Sequence, residues 1–195
     1  MWEYVAPIWR VSGHFKKIES KEDLQKFIQQ RSAHVTQSTL YGYIKTRIGV
    51  KYVAMVQDEI YSKSINLAKW NIYVVALVDF TFYVFSYLIK EKNLKLDETE
   101  EVFLNIINLE KNNGLPEDIY QKAKENFFRR KEFFNSKSYY LNNPFKESSL
   151  ALYNWAPIAD ELKQLDKKIV INSINLKWNL VTNEFKELTK NLNFN

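Results

Sequence analysis

One stretch organises the chain: Trp70 to Ile89, WNIYVVALVDFTFYVFSYLI, the most apolar run in the sequence. Ile60, Leu67, Val74, Val78, Phe82, Phe85 and Ile89 recur at intervals of three to seven residues, which is the spacing of a helix and not the alternation of a strand. Tyr73, Leu77, Phe80, Val84 and Tyr87 fill the other faces. A helix that is apolar all round is either the centre of a bundle or a membrane segment. About 20 apolar residues can cross a bilayer. Here, however, Asp79 sits near the middle, accompanied by Asn71, Thr81, Ser86 and three tyrosines. A central Asp costs about 2.5–3.5 kcal/mol on insertion scales. Lysines flank both ends (Lys69; Lys90 and Lys92), so the flanks give no orientation bias. The expectation is a central core helix over about 57–92, with a membrane span as the alternative. Asp79 is then a buried polar candidate that must be paired, protonated or hydrogen-bonded. Arg47, His34, Lys69 or a tyrosine hydroxyl are the candidate partners.

The rest of the chain supplies elements to cover that helix. Four Gly and four Pro in 195 residues are too few for a turn-rich β fold. The predicted class is all-α: a single-domain bundle of about five or six helices, preceded by an irregular arm over residues 1–19 that packs across them. Ser20 with Asp23 forms a capping box, with Asp in place of Glu, for a helix over 21–48. Lys45 and Arg47 suit its last turn, and Gly49 its C-terminal stop. Its polar, β-branched middle, RSAHVTQST, invites a break. A helix from Asp97 to about Asn113 turns Val102, Ile106, Ile107 and Leu109 inward and ends at Gly114. Pro116 opens the next, over about 117–135, with Phe127, Phe128, Phe133 and Phe134. A loop over 136–146 and a short helix from Ser148 or Ser149 to Trp155 follow. The last helix, about 158–190, carries an apolar stripe of Leu162, Leu165, Ile169, Ile174, Leu176, Val181, Phe185 and Leu188. SINLAKWNI at Ser64–Ile72 echoes SINLKWNL at Ser173–Leu180. The one-residue slip rotates the second Trp by about 100°, so Trp70 and Trp178 need not play equivalent parts.

Composition narrows the function. The absence of Cys excludes disulfides, thiolate metal sites and Cys nucleophiles. The N-terminus lacks a basic head followed by an apolar run, so a cytoplasmic protein is expected, with the inner face of the membrane as a variant. Residues 1–57 hold nine Lys or Arg against four acids, which is the whole net charge of +5; the remainder balances. An anionic partner should therefore meet the N-terminal third. There Tyr41, Tyr43, Lys45, Arg47 and Lys51 interleave rings and cations, a composition that suits an anionic lipid surface or a nucleic acid. No metal site is expected. Neither His14 nor His34 has a Glu three residues before it, as a di-iron bundle needs, and no zinc spacing exists. No cofactor is expected, and no catalytic residue is assigned, since neither a nucleophile elbow nor a Gly-rich phosphate loop is present. An acid/base cluster of Asp58, Glu59, Asp79, Tyr41 and Arg47 is the enzymatic alternative. Against it, Asp58 and Glu59 suit the solvated first turn of a helix.

The blocks TLYGYIKTRIG, SINLAKW, WAPIADELK and IVINSINLKW resemble a family of small bacterial proteins of about this length, some of which carry an esterase label. The resemblance covers most of the chain but implies no catalytic residue, because no serine has a nucleophile context. The expected function is that of a non-enzymatic helical adaptor or regulator acting through a protein partner. Membrane association and an acid/base pocket around Asp79 are the alternatives.

Overall fold

The computed structural model describes residues 17–94, 98–190 and 192. Nearly all of the arm expected over 1–19 lies outside them, as does Asp97. Among the described residues the regular structure is helical, without a strand. Helix α1 is Lys21–Ile48, α2 the short Tyr52–Gln57, α3 Glu59–Glu91, α4 Thr99–Asn112, α5 Glu117–Lys131, α6 Lys146–Trp155 and α7 Asp160–Leu188.

The boundaries follow local chemistry. Ser20 Oγ accepts from the Asp23 N–H at 3.0 Å, and the Asp23 carboxylate accepts from the Ser20 N–H at 3.2 Å, so the expected capping box opens α1. Gly49 ends it at φ +60°, a left-handed conformation that favours glycine. The central helix starts later than its apolar pattern suggests. Asp58 is extended, and its side chain accepts the Tyr61 N–H at 2.8 Å, so α3 begins with a fresh N-cap and α2 stands apart from it. Pro116 is the N-cap of α5 and not its first helical residue. In α4, Phe103 takes the inward place expected of Leu109, which is exposed.

Helices α6, α1, α4 and α5 pack around α3 in that order, and α7 lies on α6 and α1 and reaches α3 through its rings, such as Trp178 on Phe80. Each packs on the next, and the apolar side chains form one core. Most of the apolar window of α3 is buried by these neighbours, as a core helix requires. Phe80 and Phe82 point to opposite sides of α3 and seed two ring clusters. Phe80 meets Trp178 at 5.2 Å and Phe27 at 5.9 Å. Phe82 stacks on Phe134 at 4.6 Å and on Phe127 at 5.2 Å, and Phe127 lies 4.0 Å from Phe103.

The polar middle of α1 does not break. Its small side chains face inward: Ser32 and Thr36 are fully buried, and Thr39 Oγ1 donates back to the Val35 carbonyl at 2.6 Å. The Ser32 and Thr36 hydroxyls have no hydrogen-bond partner among the described residues. A buried hydroxyl without a partner carries a desolvation penalty of about 1–3 kcal/mol. Thr36→Val keeps the shape and removes the hydroxyl, so it should raise stability by about 1 kcal/mol in urea denaturation. A loss of stability would mean that the hydroxyl is bonded after all.

Helix α7 departs most from its predicted stripe. Its core face is Asp166, Val170, Ile174, Trp178, Val181 and Phe185. Leu162, Leu165, Ile169 and Leu176, expected on that face, are turned to solvent instead. The expected stripe mixed two faces, because a helix apolar on two opposite sides blurs any single period. The two tryptophans of the echo also differ: Trp178 is fully buried in the Phe80 cluster, whereas Trp70 is half-buried against Tyr73 at 5.9 Å.

Candidate functional site

The ring of helices around α3 is open at one place. Helices α5 and α6 both pack on α3, but their backbones do not approach each other closely. The segment 132–145 joins them and carries Phe133, Phe134 and Tyr139 into the lining at one end. Between the two helices lies a cleft of about 720 Å³. It runs about 17 Å along α3, from Asn71 to Phe82, at 1.5 Å per residue. Val74, Val75 and Phe82 form its floor. Lys122, Asn126, Arg129 and Arg130 line the α5 wall, and Glu147, Leu150, Asn154 and Trp155 the α6 wall.

Asp79 lies beneath the end of this groove that Phe82 marks, fully buried. Its Oδ1 accepts from Arg130 Nη2 at 2.5 Å, and the Tyr139 oxygen lies 3.4 Å away. Its Oδ2 accepts the Ser148 N–H at 2.8 Å. Ser148 stands in the first turn of α6, whose N-cap, Phe145, offers no side-chain acceptor. Asp79 therefore caps α6 from another helix and satisfies one of its free N–H groups. Arg130 Nη2 also donates to Tyr139 Oη at 2.8 Å, and Tyr139 donates to the Pro144 carbonyl at 2.9 Å. One acid thus ties α3, α5, the 132–145 segment and α6 together. The Arg130 guanidinium lies 5.5 Å from the Phe82 ring centroid, and its Nη1 is buried with no partner among the described residues.

The electrostatics follow from burial. Burial raises the Asp79 carboxyl pKa, while Arg130 and the Ser148 N–H draw it back. For Arg130, burial opposes the charge, but Asp79 outweighs it and the net effect strengthens the cation. Burial first, then the Asp79 charge, push the Tyr139 phenol well above its ordinary value, so it stays protonated as a donor. Asp79 has no exposed surface through which to exchange a proton with a bound molecule, so the network is suited to holding three elements in place.

The residues singled out from sequence fall in two places. Tyr43 Oη donates to Asp166 Oδ2 at 2.9 Å, and Arg47 forms an ion pair with the same carboxylate, which is buried in α7. Both are thereby occupied in fastening the end of α1 to the start of α7. Tyr41 is half-buried, and burial pushes its phenol pKa up to about 12. Lys45 and Lys51 are exposed. Asp58 and Glu59 stand at the start of α3, Glu59 pairing with Lys63 at 2.6 Å. Asp79 is 21 residues further along the same helix, about 30 Å away, so the acid/base cluster does not assemble. Of the candidate partners for Asp79, only the tyrosine hydroxyl is present, as Tyr139; the cation is Arg130. Ser148 and Ser149, both buried in the first turn of α6, bond the Phe145 carbonyl at 3.1 and 2.8 Å, as residues at a helix start do.

Sequence reasoning missed Arg130, Tyr139 and Ser148. Arg130 reads as an ordinary basic residue in the last turn of a helix, and Tyr139 as part of a loop. The signal available was the buried acid itself, which demands a cation from some neighbouring helix. Comparison with known protein families, with curated proteins and with solved structures finds no match to this chain.

Proposed function

We propose that the protein is a non-enzymatic binding module whose groove between α5 and α6 receives an amphipathic helical segment of a partner protein, apolar on one face and acidic along one edge. The observation that carries this reading is the open ring: every other neighbouring pair of helices around α3 approaches closely at the backbone, and this one does not. The opening is about as long as three turns of helix. Its floor is apolar, its α5 wall holds Lys122, Arg129 and Arg130, and the exposed rings of Phe133 and Trp155 stand in its lining. Apolar anchors inside a polar rim are the usual form of a helix-in-groove site. The exposed Lys122 and Arg129 of the α5 wall favour an acidic edge on the incoming segment. A saturated, enclosed Asp79 favours binding over acid/base chemistry.

Photo-crosslinking in cells tests the reading. A photoreactive side chain introduced at Asn126 or at Asn154, on opposite walls, should give adducts of one mass. The crosslinked peptide should be an amphipathic segment with acidic residues. Arg129→Glu should suppress both adducts, and the same probe at Lys26 on α1 should not produce them. Equal adducts from Lys26, adducts indifferent to Arg129→Glu, or none from either wall would overturn the proposal.

A further inference from the structure

The outward face of α7 points to a second binding surface, unrelated to the groove. Leu165 is 79% exposed, Ile169 67%, and Leu176 and Leu180 each 65%. With the partly exposed Leu162 they fall within about 60° of arc at 100° per residue. The helix buries its other side through Val170, Ile174, Trp178 and Phe185. The stripe is about 27 Å long.

The spacing of the stripe is palindromic. Leu165 and Leu180 are equidistant from the point midway between Asn172 and Ser173, and so are Ile169 and Leu176. We infer that α7 pairs antiparallel with α7 of a second copy of this chain, about a two-fold axis that passes between Asn172 and Ser173. In that register Leu165 meets the second copy's Leu180, Ile169 meets its Leu176, and the two Asn172 amides face each other across the axis. The charges agree. Glu161, exposed and without an ion-pair partner among the described residues, stands at one end of the flank, and Lys186 at the other. The antiparallel pairing sets each Glu161 against the other copy's Lys186, twice by symmetry. It also opposes the two helix dipoles, which a parallel pairing would align unfavourably.

Sedimentation velocity over a concentration series, with the full chain, tests this. Wild type should pass reversibly from monomer to dimer. Ile169→Asp should abolish the dimer while leaving the circular dichroism unchanged, because the side chain points outward. Glu161→Lys should weaken it, and Glu161→Lys with Lys186→Glu should restore it. Because the natural chain has no cysteine, a short bismaleimide reads the orientation directly. Asn172→Cys should crosslink with itself, and Leu162→Cys, near one end of the stripe, should not. A wild type that stays monomeric at all concentrations, even if it binds lipid vesicles, overturns the inference. So does a dimer indifferent to Ile169→Asp, or self-crosslinking through Leu162→Cys.

Discussion

Arg130→Ala should cost about 3–5 kcal/mol of folding stability, the usual loss when one partner of a buried ion pair is removed. Arg130 is largely enclosed and Asp79 wholly so. Deleting the guanidinium leaves a carboxylate held only by the Ser148 N–H and a long contact to Tyr139. The pH dependence of the defect gives the diagnosis. Burial already holds the folded Asp79 pKa above its ordinary 3.8, and Arg130 is the strongest influence pulling it down. Without Arg130 the folded pKa rises further above the unfolded one. A raised carboxyl pKa penalises the fold at pH values above it, and the penalty fades as pH falls through the folded pKa towards the unfolded one. The stability gap between wild type and Arg130→Ala should therefore narrow as pH drops from neutral into the acid range. Asp79→Asn with Arg130→Met should recover most of the loss at neutral pH, since replacing a whole buried pair is often close to neutral. Urea denaturation at several pH values measures all three. A gap that stays constant with pH would show that Asp79 does not carry the charge that Arg130 balances.

The fold was far more legible in the sequence than the site, for a physical reason. Helix period, caps and the scarcity of Gly and Pro are local signals, and they locate α1, α3, α5 and α6 to within a few residues. The place of Asp79 in the core was also readable, because a lone acid in an apolar helix demands compensation. Which residue compensates depends on how α5 packs beside α3, 51 residues away in sequence, and no local pattern encodes that. The same limit applies to Tyr43 and Arg47. Their basic-aromatic composition is real, but the packing of α1 against α7 turns both towards Asp166. The groove is illegible for a deeper reason, since it is a missing close approach between two helices that each look fully amphipathic on their own. The α7 stripe was visible in the sequence but not separable, because its inner and outer apolar faces overlap in any simple count.

Trp178→Ala should cost about 3–5 kcal/mol, the range for removing a large ring from a packed core. The indole is fully buried, lies 4.3 Å from the Phe145 ring in a near-parallel stack, and touches Phe80 at 5.2 Å. Its Nε1 donates to Ser148 Oγ at 3.2 Å. The same residue, Ser148, gives its backbone N–H to Asp79, so the ring cluster and the buried ion pair meet in the first turn of α6. Two further expectations follow from that junction. Trp178→Phe keeps most of the stacking and loses the hydrogen bond, so it should cost about 1 kcal/mol beyond the change in packing. Its effect should not simply add to that of Arg130→Met: groups sharing one network show coupling energies of about 0.5–3 kcal/mol. Trp70→Ala supplies the contrast. Trp70 is half-buried at the rim of the core, and its loss should cost well under half as much, despite the nearly identical sequence around it. Denaturation of the four single variants and of the Trp178→Phe/Arg130→Met double variant in urea decides the matter. Additive costs for Trp178→Phe and Arg130→Met would mean that the first turn of α6 does not transmit strain between the aromatic cluster and the floor of the groove.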